Sequence, residues 1–569
     1  MNHWIVVPIL LPLLTAAVML LLGEKRRHIK AIVNVVSTAI GLGVAIGLLH
    51  WVDSTNTVGT IGVYLPGNWE APFGIVLAVD RLSALMLVLA GMVGLGAVLF
   101  SLARWDRAGV HFHPLFQIQL MGLYGAFLTA DLFNLFVFFE VLLSASYGLL
   151  LHGSGVARVK AGMHYIAINL LASSLFLIGA ALIYGATGTL NMADLAVRIP
   201  QVAADNRGLM HAGVGILAVA FLAKAGLWPL NFWLVPAYSA ASAPVRALFA
   251  IMTKVGVYTV LRLWTVWFPA TAGASAYFGG SWLVIGGLAT LAFGVIGVLA
   301  SHHFNRLASF SLIVSSGTLL AAVGFGQPAV TAGALFYLVS STVAVSAFFL
   351  LGELIDRARL PAGATPLDEA VTVALPVDVL RRPSRNEEPD DSVLDASPDE
   401  DDDVPIGQVI PAAMAFLGLS FIACTLVIAG MPPLSGFIGK LALLSALLSP
   451  LGLGVQASAT TPAAWTLIGL VIASGAVSLL ALSRAGIRYF WAPRDRPAPR
   501  LRLIECLPIA ALLAVCVAMS VAGEPVTRYV RLAAESLHQP RGYIDAVMSA
   551  KPLPGPHSGV QPMTSGEPL

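Results

Sequence analysis

Glu140 stands inside LFNLFVFFEVLLSASYGLL, a run that is otherwise apolar and long enough to cross a bilayer. Three lysines have comparable surroundings: Lys224 in AVAFLAKAGLWPL, Lys254 in LFAIMTKVGVYTV and Lys440 in PPLSGFIGKLALL. A charge held at membrane depth costs several kcal/mol, so such residues are rare and mark ion or proton paths. One carboxylate and three amines, each able to bind and release a proton, point to a protein that moves charge across a membrane. The competing reading of Glu140 is a static buried ion pair that fixes helix packing, with Lys224 as its nearest partner in sequence logic. The same pair is also a switch: closed, it keeps the lysine protonated, and opened, it lets the proton go.

Lys254 has about eleven residues of span on either side, too many for its ammonium to snorkel to the headgroups. Lys440 follows Pro432 and Pro433 and has a shorter way to an interface. Asp80 and Arg81, in VDRLSALM at the end of a span, read as an interfacial anchor. His302 and His303, at the cytoplasmic end of a span, titrate near neutrality and are candidate relays. Ser315, Ser316, Thr318, Ser340, Ser341 and Thr342 cluster on two consecutive spans, where hydroxyls either wet a path between charges or bond across helices.

The elements that must position these groups are membrane helices. Apolar stretches of about 20 residues lie near 4–22, 31–50, 80–102, 113–130, 132–151, 163–184, 210–229, 243–265, 281–301, 307–325, 330–353, 408–430, 464–486 and 504–522. Two further apolar pieces, 230–238 and 435–449, follow prolines and read as second halves of interrupted helices. Lysine and arginine test the count. With the N-terminus outside, the cytoplasmic loops carry Lys25, Arg26, Arg27, Lys30, Arg104, Arg107, Arg158, Lys160, Arg306 and the cluster from Arg484 to Arg502. The opposite loops 51–79, 268–280 and 450–463 carry none and 186–208 only Arg198 and Arg207, a positive-inside pattern that puts both termini on the outer side.

The predicted fold class is all-α and polytopic, with two inverted five-helix repeats. Residues 1–112 hold helices 1–3, 113–265 the first repeat and 281–486 the second, and 504–523 the last helix. AKAGLWPLNFWL and AGMPPLSGFIGK then correspond as broken helices 7 and 12. Paired broken helices point to a binding path at the midplane, and each break here has a lysine beside it. Residues 356–406, rich in Pro, Asp and Glu, are expected to form an acidic cytoplasmic linker, and 524–569 a disordered outer tail.

Composition excludes much else. Of 569 residues 57% are hydrophobic and 11% charged, against about a quarter charged in soluble domains. A net charge of +2 without a basic, aromatic-interleaved patch gives no reason to expect nucleic acid as a partner. Cys424, Cys506 and Cys516 lie in apolar runs, spaced for neither disulfides nor zinc. The first segment lacks a basic n-region and a small-residue cleavage site, and reads as a retained helix. No phosphate-binding glycine loop, haem-ligand pair, Fe–S cysteine set or nucleophile elbow is present. No cofactor, metal or catalytic site of its own is therefore expected, and the energy must come from an ion gradient or from another protein of the same assembly.

From about residue 1 to 523 the chain resembles the proton-translocating, antiporter-like membrane subunits shared by respiratory complex I and the multisubunit Mrp-type (Mnh/Pha) cation/proton antiporters. The residues behind this are GNWEAPFGIVLAVDRLSA (67–84), LFVFFEVLLSASYGLL (135–150), GATGTLNMADL (185–195), SAASAPVRALFAIMTKVGVYTVLRL (239–263) and AGMPPLSGFIGKL (429–441). GTLNMADL and the W-x-A-P-F-G-I run make it most similar to the D-type subunits of the antiporters, in their proteobacterial form. The resemblance implies a line of protonatable groups at Glu140, Lys224, Lys254 and Lys440. It also implies one component of a Na+ (or K+)/H+ antiporter in a bacterial cytoplasmic (inner) membrane, assembled with the A-type and small membrane subunits of the complex and surrounded by lipid. In this reading, protonation events at Glu140 and Lys224 bias the proton affinity of Lys254, which passes its proton towards Lys440. The alternative is a proton-pumping subunit of complex I or of a membrane-bound hydrogenase; a third class is a scaffold whose charges are static pairs.

Two departures from the family pattern stand out. Its H-F-W-L-P run reads Asn231, Phe232, Trp233, Leu234, Val235, Pro236 here, so the histidine is lost. The histidine-containing pair of the eleventh span is Ser340–Ser341, and the position of a further lysine is Val345. Water chains, or His302 and His303, would have to substitute for those histidines.

Overall fold

Within a bilayer no water is available to satisfy peptide groups, so apolar stretches fold as helices. The computed structural model describes residues 2–23, 26–54, 60–109, 111–358, 411–449, 460–491 and 501–552. Its helices are α1 (Val7–Leu21), α2 (Arg27–Asp53), α3 (Arg81–Ser101), α4 (Phe112–Leu128), α5 (Leu132–Leu150), α6 (Val156–Thr187), α7 (Met192–Arg198), α8 (Ala204–Ala225), α9 (Leu234–Ala240) and α10 (Ala243–Trp267). They continue as α11 (Gly280–Ala300), α12 (Phe304–Gly324), α13 (Pro328–Ala358), α14 (Ala412–Ala429), α15 (Ser435–Leu448), α16 (Pro462–Gly486), α17 (Leu503–Val521), α18 (Gly523–His538) and α19 (Arg541–Met548). Strands β1 (Gly62–Tyr64) and β2 (Leu77–Val79) pair antiparallel, Gly62 opposite Val79.

Twelve helices among the described residues are long and apolar enough to cross a membrane. With 15 and 17 residues, α1 and α4 are shorter; fourteen crossings are therefore a proposal that needs these two as well. The predicted acidic linker, 356–406, lies outside the described residues from 359 onward, while Asp356, Arg357 and Ala358 are the last residues of α13. The disordered tail is corrected. Residues 523–548 form α18 and α19, because Tyr529, Val530, Ala533, Ala534 and Leu537 recur on one helix face and are buried. Residues 553–569 lie outside the described residues.

Several helix starts are fixed by side-chain caps, which satisfy backbone donors that the helix itself leaves free. Asp80 accepts from Ser83 N at 2.9 Å, Asp131 from Asn134 N at 2.8 Å, and Asn191 from Ala193 N at 3.0 Å. At the N-terminal side, α1, α2 and α4 are tied by a buried polar network. Gln117 Nε2 donates to Asn34 Oδ1 (2.6 Å) and Thr38 Oγ1 (2.9 Å), and Thr15 Oγ1 donates to Ser37 Oγ (2.9 Å).

Both interruptions close in the same way. Ala225 and Ala429 are followed by glycines with φ of 77°, a left-handed conformation that side chains with a Cβ resist. Leu227 N then donates to Leu222 O, and Met431 N to Leu426 O, each at 2.9 Å. This is the Schellman termination. It ends α8 and α14 inside the bundle and turns the chain into α9 and α15.

All 25 residues of α10 are buried, and the helix packs against α3, α8, α12 and α13. Its contact with α8 is backbone on backbone. A Cβ at Gly256 would lie 2.6 Å from Ala225 N and 2.8 Å from Phe221 O. Gly256→Val is accordingly expected to push α10 off the helix end that carries Lys224, at a cost of about 1–3 kcal/mol. The detergent-solubilised complex should melt at a lower temperature and exchange ions more slowly; unchanged melting and exchange would refute the contact.

The two ends of the described chain meet at one end of the bundle. The His3 and Tyr64 rings lie 5.6 Å apart, and α19 packs on β1.

Candidate functional site

Glu140 sits on α5, partly buried, and accepts a hydrogen bond from Ser173 Oγ of α6. Lys224 projects from the last turn of α8. Its Nζ is buried with no hydrogen-bond partner among the described residues and lies 5.0 Å from the centre of the Phe139 ring. No ion pair joins Glu140 to Lys224 among the described residues, so of the two states of the expected switch the structure holds the open one. Two features of its surroundings face the ammonium in place of a direct bond: the face of the Phe139 ring and the negative end of the α8 dipole.

Beside Lys224 is a cavity of about 20 Å³, enough for a water centre. Lys224, Tyr165, Asn169 and Trp233 line it, together with Met252 and Val255 of α10. The last two flank Lys254 in sequence, so the cavity reaches from one lysine to the helix that carries the next.

Lys254 is fully buried. Its Nζ donates to Ser315 Oγ of α12 at 2.8 Å, and Ser315 Oγ lies 2.9 Å from Ser341 Oγ of α13. Ser341 in turn lines a second cavity of about 10 Å³, with Tyr337, Val345, Ser478 and Ile428. Ile428, which also lines that cavity, accepts through its carbonyl from Lys440 Nζ at 3.3 Å, and Ala429 O accepts from the same nitrogen at 2.8 Å. Lys440, 7% exposed, is thus held by the carbonyls that the break leaves free at the C-terminal end of α14, where the helix dipole favours a cation.

The structure therefore brings Lys254, Ser315 and Ser341 into one hydrogen-bonded row, with Lys224 and Lys440 across a cavity at either end. Ser340 is not in that row; it bonds Ser435 Oγ at 2.8 Å, at the start of α15. Ser316 Oγ is buried without a partner among the described residues. His302 and His303 lie in the exposed turn ahead of α12, off the face that holds Ser315 and Ser341. Among the described residues no group of three or more His, Cys, Asp or Glu side chains could hold a metal ion.

The predicted interfacial anchor is corrected as well. Asp80 and Arg81 are 5% and 2% exposed. Arg262 of α10 grips Asp80 with two bonds, Nη1 to Oδ2 at 2.5 Å and Nη2 to Oδ1 at 2.6 Å, while Arg81 Nε pairs with Asp53 at 3.4 Å. Each of these buried charges thus has an opposite charge within hydrogen-bonding distance, which offsets the cost of burying it. Neither Arg262 nor Ser173 was singled out in the sequence. Arg262 has a legible signal, since it stands eight residues beyond Lys254 and so on the same helix face.

Known proteins share this architecture. A family model described as NADH:quinone oxidoreductase/Mrp antiporter, transmembrane, matches residues 129–362. The chain is 50% identical over 551 residues to the D-type subunit of a probable K(+)/H(+) antiporter of Rhizobium meliloti, covering 97% of this chain and 98% of that protein. It is 32% identical over 555 residues to the D-type subunit of the Na(+)/H(+) antiporter of Bacillus subtilis, covering 96% and 100%. Its fold matches a chain of the Mrp complex from Dietzia sp. with a TM-score of 0.77 and 25% identity, over 96% of this chain and 100% of that one. It also matches a chain of respiratory complex I from Thermus thermophilus, with a TM-score of 0.69 and 21% identity over 94% and 99%; that likeness concerns the fold alone.

Proposed function

The chain belongs to the family of D-type subunits of multisubunit cation/proton antiporters, and we propose that within such an assembly it moves protons along Glu140, Lys224, Lys254 and Lys440. The observation that supports this most is the row Lys254–Ser315–Ser341, which ends at a cavity also lined by Ile428, whose carbonyl accepts from Lys440. Hydroxyls pass protons by accepting one and donating another, and small cavities admit the waters that complete the row. Glu140 and Lys224 act on the row through charge. Two unit charges about 8 Å apart, at an effective dielectric of about 20, interact by roughly 2 kcal/mol. That is enough to change the occupancy of a neighbouring proton site more than tenfold, so protonation propagates stepwise.

The same reading places the chain in a bacterial inner membrane, both termini outside, in contact with the A-type and smaller membrane subunits of the complex. The exchanged ion is a monovalent cation, K+ or Na+, as the relatives' names divide. The test uses everted vesicles carrying the complete antiporter, supplied with K+ or with Na+. Lys440→Met complexes, present at wild-type abundance, should lose about tenfold or more of the exchange rate with whichever cation the wild type accepts. Exchange at the full rate would remove Lys440 from the path.

A further inference from the structure

We propose that Thr290 of α11 is a positioning residue for Lys224, and that α11 and α12 form one rigid unit fixing Lys224 and Lys254 relative to each other. Thr290 holds the backbone beside the first lysine, and Ser315 holds the ammonium of the second. This deepens the reading of the two lysines as proton carriers and rests on it. Transfer between two groups falls steeply when either is misplaced, so whatever fixes their spacing controls the rate.

The break beside Lys224 needs a partner from outside its own helix. The Schellman turn uses the N–H of Gly226 and of Leu227, and Pro229 has none. Trp228 N–H is the donor left between them. Trp228 is 44% exposed on the surface of the bundle, and in a bilayer an unpaired peptide N–H there has no water to turn to. Thr290 supplies the acceptor. Trp228 N donates to Thr290 Oγ1 at 2.9 Å, and Thr290 Oγ1 donates to Gly286 O at 2.6 Å. Both bonds together fix the hydroxyl of this fully buried residue. Leu227 packs on Gly286, where a Cβ would lie 3.1 Å from Leu227 Cδ1. With Gly256 of α10, which meets Ala225 and Phe221 of the same helix end, α11 clamps the break between two helices.

On the other side of the pair, Ser315 of α12 accepts from Lys254 Nζ at 2.8 Å. The two helices meet backbone to backbone. A Cβ at Gly324 would lie 2.7 Å from Gly280 O, one at Gly317 2.8 Å from Gly287 O, and one at Gly294 2.9 Å from Val314 N. Contacts that close leave no slack, so a displacement of one helix is carried to the other. Thr290 directly precedes Leu291, whose main chain also abuts Gly317, and Ser315 stands two residues before Gly317. The two hydroxyls therefore lie at the same level of the pair. A threonine serving its own helix alone would stop at the bond to Gly286 O; here the same oxygen also takes the N–H four residues beyond Lys224.

The test again uses everted vesicles with the complete antiporter, with rates normalised to assembled complex. Thr290→Val keeps the shape but removes the hydroxyl, and should slow exchange about tenfold, as a displaced transfer partner does. Thr290→Ser keeps the hydroxyl and should recover most of the rate. Gly317→Ala, which drives α11 from α12, should slow exchange about as much as Thr290→Val. In a Lys224→Met background, Thr290→Val should take nothing further from the residual rate. Wild-type exchange in Thr290→Val, an equal loss in Thr290→Ser, or a further loss in the Lys224→Met background overturns the role of Thr290. Wild-type exchange in assembled Gly317→Ala complexes overturns the rigid unit. Full exchange by Lys224→Met or Lys254→Met alone is a different failure, because it removes the reading on which the unit rests.

Discussion

Replacing Lys254 by methionine is expected to reduce cation-driven proton movement to background, a loss of about 100-fold or more, as for removal of a positioned proton donor. The residue is fully buried, and its ammonium starts the row through Ser315 and Ser341. It also stands between the cavity beside Lys224 and the one beside Lys440, so no transfer along the four-residue line can avoid it. Methionine keeps the length and most of the volume of the stem, so packing of α10 against α3, α8 and α13 survives. Removing a desolvated charge is not expected to weaken the fold. The variant complex should therefore assemble at wild-type abundance and be silent, which separates a lost function from a lost structure.

The second large effect concerns Lys224 and Glu140 together. Lys224→Met should cost about 100-fold in exchange, since the ammonium is the group on which the first cavity opens. Glu140→Gln should cost about tenfold, because it leaves Ser173 a partner but removes the negative charge that acts on Lys224. The informative case is the double variant. If the carboxylate works only through the lysine, Glu140→Gln adds nothing once Lys224 is methionine, and the two losses are strongly non-additive. Rates measured for the wild type, both single variants and the double variant form the cycle. Losses that simply multiply would mean that Glu140 and Lys224 act independently.

The four positions are visible in the sequence because membrane energetics leave few reasons for an ionisable group at depth. The breaks beside Lys224 and Lys440 are visible too, through glycine turns followed closely by proline. What stays hidden is how the charges are held. Nothing in the spacing of Glu140 and Lys224 shows that the carboxylate is satisfied by Ser173, or that the ammonium lies over Phe139 instead of pairing directly. Among the clustered hydroxyls, only three-dimensional packing separates Ser315 and Ser341, which face Lys254, from Ser340, which faces Ser435.

The C-terminal helices escape sequence reasoning for a compositional reason. Their polar and proline-containing surroundings suggest a solvated tail, while the apolar stripe from Tyr529 to Leu537 carries the opposite signal at helical period. Asp80 is hard to place because its partner Arg262 lies 182 positions away in sequence. At the end of a span, a lone acid next to an arginine looks like an interface residue until that distant partner is known.

The central claim is that protons cross the middle of this protein through Lys254. Its most direct test is the initial rate of proton movement on adding potassium or sodium to everted vesicles that hold equal amounts of wild-type and Lys254→Met complex. A path through Lys254 predicts a normal rate for the first and background for the second. Equal rates would contradict it.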